Sequence, residues 1–399
     1  MKVLQVNVTK GKGSTGRIAE NISQMVIDQG GEACIAYGRE EAIGEVPAYR
    51  IGNEISVYKH VLKTRLFDAH GLGSRHATKV FIEWVQRYAP DIIHLHNIHG
   101  YYLHYPTLFK FLKDYGRPVV WTLHDCWPFT GHCSHFEAIG CDRWQFGCHC
   151  CPIKSHYPSS WLCDRSSSNY EKKKLFFRSL NSHLTIVPVS HWLEDLLSQS
   201  FLSEMTMQVI HNGINLFDFQ PQEDIALQYT SQLQKKCYLS VGSKGLSDII
   251  EFSKQYLRDD EIILVVGLTE SEIKKWSSNK VIALPRTESI KEMSELYSFC
   301  DAYLNFTYGD TYPTTNLESI ASGTPVVAYR TGGSPEAITK ETGFVVDKRD
   351  FIEVRKALDQ IKYLGKKRYR ENCVNYARKH FDQNIQLKEY EKLYERLYL

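Results

Sequence analysis

A chain of 399 residues exceeds what a single hydrophobic core comfortably serves and suits two domains. Its 48 Lys plus Arg nearly balance 46 Asp plus Glu, so no global field draws it to nucleic acid. A hydrophobic content of 43% with 12% aromatics points to packed domains rather than disorder, and no apolar run approaches the roughly 20 residues of a membrane helix.

Residues 1–8, M-K-V-L-Q-V-N-V, are too short and too alternating for a secretory signal and read as a first strand, so a soluble, cytosolic protein is expected. The loop T-K-G-K-G-S-T-G-R, a helix at about residues 18–28 and the strand A-C-I-A-Y follow, an alternation that marks a parallel sheet. A glycine-rich loop between first strand and first helix lets backbone approach a phosphate or sugar, which nominates Gly13, Ser14, Gly16 and Arg17 against a plain βα turn. The loop lacks the G-x-G-x-x-G spacing of a dinucleotide site. Residues 45–80 show no clear period, although K-H-V-L-K-T-R-L-F reads as an amphipathic basic stretch.

The strand P-D-I-I-H-L-H-N-I-H-G ends in His94, His96 and His99. Alternation puts the first two on one face and supplies no third metal ligand, so lining a ligand cleft is the preferred reading over zinc. After a helix around residues 105–115, R-P-V-V-W-T-L-H-D delivers His124 and Asp125 to a strand's C-terminal end, where open α/β sheets place ligands. The alternative is a capped strand end with a satisfied His.

Residues 126–163 hold seven of the eleven cysteines. Cys133, Cys141, Cys148 and Cys151 fall in the spacing C-x7-C-x6-C-x2-C, with His132, His135, His149 and Cys150 as further donors. Three readings stand: a structural zinc in an insertion that lacks its own core, free thiols in a Trp- and Phe-rich loop, or disulfides. Next, S-N-Y-E-K-K-K-L-F-F-R-S-L puts a basic run beside two Phe, fit either for an anionic membrane surface or for a solvated helix face.

The stretch M-Q-V-I-H-N-G-I-N closes a first domain near residue 215, and the polar run at residues 220–236 reads as a linker. A second domain restarts at C-Y-L-S-V-G-S-K-G and repeats the alternation through E-I-I-L-V-V-G, V-I-A-L-P and D-A-Y-L-N-F. Residues 310–336 then carry the densest signal, D-T-Y-P-T-T-N-L-E-S-I-A-S-G-T-P-V-V-A-Y-R-T-G-G-S-P-E. A helix begins beside Pro313, Thr314 and Thr315, whose chemistry suits a first turn, and its positive end is an anion site. Asp310 precedes that end and Glu318 lies one turn beyond it. A phosphate between two carboxylates that accept from sugar hydroxyls describes a nucleotide sugar. A plain helix–strand unit with a buried Glu is the alternative.

This segment resembles the acidic-x7-acidic motif of the retaining GT-B glycosyltransferases numbered family four, which usually carry Glu where this chain has Asp310. The resemblance is loose before Asp91 and close from Cys237 onward. It implies an α/β protein of two Rossmann-like parallel-sheet domains facing a cleft. Residues 1–215 would take the acceptor, residues 216–380 the nucleotide sugar, and a C-terminal helix over residues 381–399 would cross back. It implies glycosyl transfer with retention, from a UDP- or GDP-sugar to a glycan or lipid-linked acceptor, without a catalytic cofactor. Surface polysaccharide assembly at the cytoplasmic side of the membrane would be the setting. Lys244 and the N–H groups near Thr314 and Thr315 would hold the diphosphate and Glu318 the ribose. Asp310, Thr311 and Tyr312 would orient the sugar and His124 would line it. The turn L-P-R-T carries Arg286 to the base. Relatives also have an Arg before the Lys-Gly pair. This chain keeps Lys244 and Gly245 but not that Arg, and Arg286 and Arg330 are the candidates to replace it. A GT-B epimerase, a phosphorylase and a non-catalytic sugar-binding protein remain as alternatives.

Overall fold

The computed structural model describes residues 1–223 and 235–398. The expected linker at residues 220–236 therefore lies, from 224 to 234, outside the described residues.

Runs such as I-I-H-L and V-V-W-T-L are buried along their whole length, as strands covered on both faces must be. Seven strands form the first sheet: β1 (Lys2–Asn7), β2 (Glu32–Tyr37), β3 (Ala48–Arg50), β4 (Ile92–Leu95), β5 (Val119–Leu123), β6 (Leu184–Pro188) and β7 (Thr206–Met207). Their spatial order is β3-β2-β1-β4-β5-β6-β7, and each pairing is parallel, with Val3 opposite Ala33 on one side and Ile92 on the other. Six more form a second parallel sheet: β8 (Lys236–Val241), β9 (Glu261–Val266), β10 (Val281–Leu284), β11 (Ala302–Asn305), β12 (Val326–Tyr329) and β13 (Gly343–Val346), in the order β10-β9-β8-β11-β12-β13.

The chain divides into two compact units, residues 1–211 with 387–399, and residues 212–386. Each holds one of the two Rossmann-like sheets. The helix Gln383–Tyr398 brings Tyr390, Leu393 and Tyr394 into the core formed by Val3, Ile22, Ile92 and Val120. Their spacing at i, i+3 and i+4 puts them on one helix face.

The first helix starts earlier than the apolar period suggests, at Gly13 rather than near residue 18, because its opening turn is built from small residues that carry no hydrophobic signal. In each sheet the order reverses beside the first strand, between β1 and β4 and between β8 and β11. The loops that follow those strands diverge there and leave a crevice at the carboxyl ends.

Candidate active site

In the second unit the loops that follow β8 and β11 carry the acidic and basic residues of interest. Gly245 takes φ +76, and a Cβ there would fall 2.2 Å from Phe306 O, so the Lys244–Gly245 turn is pressed against the exit of β11. Lys244 Nζ consequently lies 3.5 Å from Asp310 Oδ2. Asp310 is fixed on its other sides: Oδ1 accepts from Tyr312 N–H at 3.3 Å, and its carbonyl accepts from Gly333 N–H at 2.9 Å. A Cβ on Gly332 would meet that carbonyl at 2.0 Å, which is why the second turn is glycine there.

The helix Thr314–Ala321 starts on Pro313, which supplies no side-chain cap. The hydroxyl cap suggested by Thr314 and Thr315 is not made, since Pro313 occupies the capping position. Asn316 N–H turns back to Pro313 O at 3.1 Å, and no side chain caps the positive end of the helix. Thr315 instead hydrogen-bonds Tyr303. Thr311 and Tyr312 are buried in the loop just before.

Glu318 is 6% exposed and accepts from Tyr297 O–H at 3.2 Å. Burial and the neighbouring carboxylate push the Tyr297 phenol well above its usual range, so it stays a donor. Asn305 Nδ2 donates to Asn316 Oδ1 at 2.8 Å, and Asn316 Nδ2 to Ser334 O at 3.3 Å. These amides tie the β11 exit, the helix and the second glycine turn into one piece. Tyr297, Asn305 and Asn316 were not nominated from the sequence. Their signal was weak, an Asn at a strand end and another inside a helix, where Asn is unfavourable unless bonded.

Arg286 is exposed on the loop leaving β10, the edge strand, and β9 separates β10 from β8. Among the described residues no contact joins it to Lys244 or Asp310. Arg330 pairs with Asp347, Nε to Oδ1 at 3.1 Å. Neither arginine is brought to the Lys244–Asp310 pair.

In the first unit, Gly13 opens its helix at φ +68 with nothing within 4 Å of an added Cβ. Gly16 has a packing role, its Cβ position lying 3.1 Å from Thr9 Oγ1 and 3.2 Å from Gly11 N. His94 in β4 and His96 just after it share a face, with rings stacked at 4.2 Å, but both are buried rather than lining a cleft. The polar groups of the C-terminal helix and of the sheet interior claim them.

Those claims fix where the protons sit. His96 Nε2 lies 2.7 Å from Gln5 Oε1, which can only accept, so His96 carries its proton on Nε2. Burial holds His96 neutral, leaving Nδ1 to accept from His124 Nε2–H at 3.1 Å. Burial likewise lowers His124 to about 4, so its unprotonated nitrogen is Nδ1. On the other branch Gln5 Nε2 donates to Tyr394 O at 3.0 Å, and Tyr394 O–H donates to His94 Nδ1 at 2.6 Å. His94 Nε2 then meets Thr122 Oγ1 at 2.8 Å, itself 2.8 Å from Tyr390 O. Beside His124, burial raises Asp125 but His99, at 2.8 Å, outweighs it and brings the carboxyl to about 2.

All eleven cysteines are free thiols, which removes the disulfide reading of residues 126–163. Cys133, Cys141, Cys148 and Cys151 line one cavity with Phe136, Trp144 and Ile153. Among the described residues, the one group of three potential metal-binding atoms lying within 4.8 Å of one another is Cys126, His135 and Glu137. In the helix Ser166–Phe177, Lys173 and Phe177 are buried rather than solvated, Lys173 donating to Trp127 O at 2.6 Å and Thr130 O at 2.9 Å.

Residues 16–217 match the family model described as Glycosyltransferase Family 4, and residues 223–380 match Glycosyl transferases group 1. WcaC of Escherichia coli, named as a colanic acid biosynthesis glycosyl transferase, is 25% identical over 374 residues, 89% of each chain. Among solved structures, sucrose-phosphate synthase from Thermosynechococcus elongatus aligns with a TM-score of 0.72 at 14% identity, over 100% of this chain and 99% of that one. Anabaena HepE in complex with UDP-glucose aligns at 0.68 and 14% identity, over 99% and 100%.

Proposed function

We propose, for a chain that belongs to glycosyltransferase family 4 and has the GT-B fold, transfer of a hexosyl group from a nucleoside-diphosphate sugar to a glycan or lipid-linked glycan, with retention of anomeric configuration. The observation that carries this is the meeting of Lys244, Asp310 and the uncapped start of the helix Thr314–Ala321 beside the switch between β8 and β11. One flexible cation and a helix end suit a diphosphate, whose charge grows as the glycosidic bond breaks. Lys244 and the N–H groups of Thr314 and Thr315 are assigned to that leaving group. Glu318, oriented by Tyr297, is assigned to the ribose hydroxyls. Asp310 is assigned to the sugar, with backbone from Thr311 and Tyr312. Within the first unit, taken by itself, His124 is assigned to a sugar hydroxyl and Gly13 to close backbone approach. No side chain is assigned as a nucleophile, and a leaving-phosphate oxygen would take the acceptor's proton on the same face.

UDP is the preferred donor nucleotide because HepE, of the same fold, is described with UDP-glucose. Surface polysaccharide assembly is the preferred setting because WcaC is named for colanic acid biosynthesis. A thermal-shift panel of UDP-, GDP- and ADP-sugars tests the donor site, since a ligand that binds only the folded state raises Tm. One nucleotide should stand out and its shift should vanish in Glu318→Ala. No shift with any of them would sink the donor reading.

No helix among the described residues is long and apolar enough to cross a membrane. A lipid-linked acceptor would be met at the membrane's inner face, and for that contact the helix Glu54–Phe67 is a better candidate than Ser166–Phe177. It exposes Ile55, Tyr58 and Leu62 by 64, 71 and 56%, interleaved with exposed Lys59 and Lys63, and exposed Trp161 hydrogen-bonds back to Arg65 O. Flotation with anionic but not neutral vesicles, lost in Lys59→Glu/Lys63→Glu, checks it.

A further inference from the structure

We propose that Cys133, Cys141, Cys148 and Cys151 hold one Zn²⁺ as four thiolates, a structural ion that pins residues 126–163 to the end of β5. The proposal stands apart from the glycosyltransferase reading.

The segment has little else to hold it. Its regular structure amounts to one turn of helix at Arg143–Phe146 and two 3-10 turns at Trp127–Phe129 and Glu137–Ile139. Its private core is Phe129, Phe136 and Trp144, with centroids 5.3 Å apart from Trp144 to each of the other two. Three rings are a small core for so long an excursion, the condition in which natural folds add a staple. With every cysteine a free thiol, that staple is not a disulfide.

Three features favour the thiols. All four line the same cavity. Gly131 N–H donates to Cys148 Sγ at 3.1 Å, the kind of bond that stabilises a metal-bound thiolate. The third is Lys173, which is 1% exposed, contacts the carbonyls of Trp127 and Thr130, and has no carboxylate within ion-pair distance among the described residues. A buried ammonium without a counter-charge is costly. A four-thiolate zinc site carries a net charge of −2, which this cation would offset.

Binding is balanced by protons: four thiols and Zn²⁺ give the tetrathiolate and release four H⁺, with no change of oxidation state. The sulfurs are set more widely than the atoms of Cys126, His135 and Glu137. Closure to the usual Zn–S distance of about 2.3 Å would draw in the turn at residues 147–151, where Gly147 and Cys150 already take φ of 136 and 44. In the rival group Glu137 Oε2 already accepts from Phe136 N–H at 3.1 Å.

The test is metal analysis by mass spectrometry on the purified full-length chain, with Cys148→Ser, Cys151→Ser and His135→Ala. One zinc per chain is expected, lost in both serine variants and kept in His135→Ala. Chelation should lower Tm, and added Zn²⁺ should restore it. If the serine variants fail to fold, Co²⁺ exchanged into the wild-type chain decides: four thiolates give intense sulfur-to-metal charge-transfer bands, and a Cys–His–Glu set gives weak ones. Zinc lost in His135→Ala but kept in the serine variants would overturn the assignment. So would a chain purified without metal, with all eleven thiols titrating under denaturing conditions.

Discussion

Lys244 Nζ stands 3.5 Å from Asp310 Oδ2, joining the loops that follow two adjacent strands of the second sheet. The lysine side chain is 58% exposed, so the pair is worth about 0–1 kcal/mol to folding. Lys244→Ala should therefore leave Tm nearly unchanged while kcat/KM for the donor falls about 100-fold, the cost of one preorganised cation at a developing charge. Unaltered turnover in a folded Lys244→Ala would remove the lysine from the diphosphate.

Glu318 separates a ligand role from a structural one. Glu318→Gln still accepts from Tyr297, so Tm should hold while the donor's thermal shift shrinks. Glu318→Ala strands a buried phenol and should cost about 1–3 kcal/mol as well. Equal donor binding by wild type and Glu318→Gln would count against the ribose contact.

The chain from Gln5 through His96 to His124 sets a tautomer. In Gln5→Leu, His96 is free to carry its proton on Nδ1, and His124 loses its acceptor. Nitrogen-15 side-chain spectra should show His124 protonated on Nε2 in the wild type and shifted toward Nδ1 in the variant. kcat should drop about 10-fold with KM little changed. An unchanged His124 spectrum would break the link.

Acid should unfold the first unit early. Burial lowers His60 to about 3 and His124 to about 4, and pushes His70, His94 and His96 well below their usual value. Unfolded, each titrates near 6.5 and binds a proton that the folded state refuses. Their contribution is therefore complete above pH 6.5 and lost as pH falls toward the folded values, by about 1.4 kcal/mol per pH unit for each. Tm should be flat from pH 8 to 7 and fall steeply below 6.5. A flat profile down to pH 5 would mean that these rings are not buried neutral.

Local signals carried far in this chain. The strands within E-I-I-L-V-V-G and D-A-Y-L-N-F lie where their apolar runs put them, because each is buried along its length. The helix Glu54–Phe67 was opaque for a physical reason: it buries Val57, His60 and Thr64 and exposes Ile55, Tyr58 and Leu62, so polarity does not mark its inward face. Lys173 misled in the same way, since a lysine in a basic run gives no sign that it is buried under Trp127. The two acidic residues and Lys244 were legible because glycine, proline and charge crowd their turns. The tautomer chain was not, because Tyr394 lies 300 residues from His94 and pairs with it through space alone.

The last helix thus makes the first unit a structure with a late component. Tyr390 and Tyr394 supply hydroxyls to Thr122, His94 and Gln5, in a core otherwise built from residues 1–211. During synthesis the whole second unit emerges before those tyrosines exist. The nascent first sheet must wait with His94 Nδ1 lacking its partner, and it completes its interior only after the second unit has been made. Loss of Tyr390 and Tyr394 would thus injure the part of the protein made first.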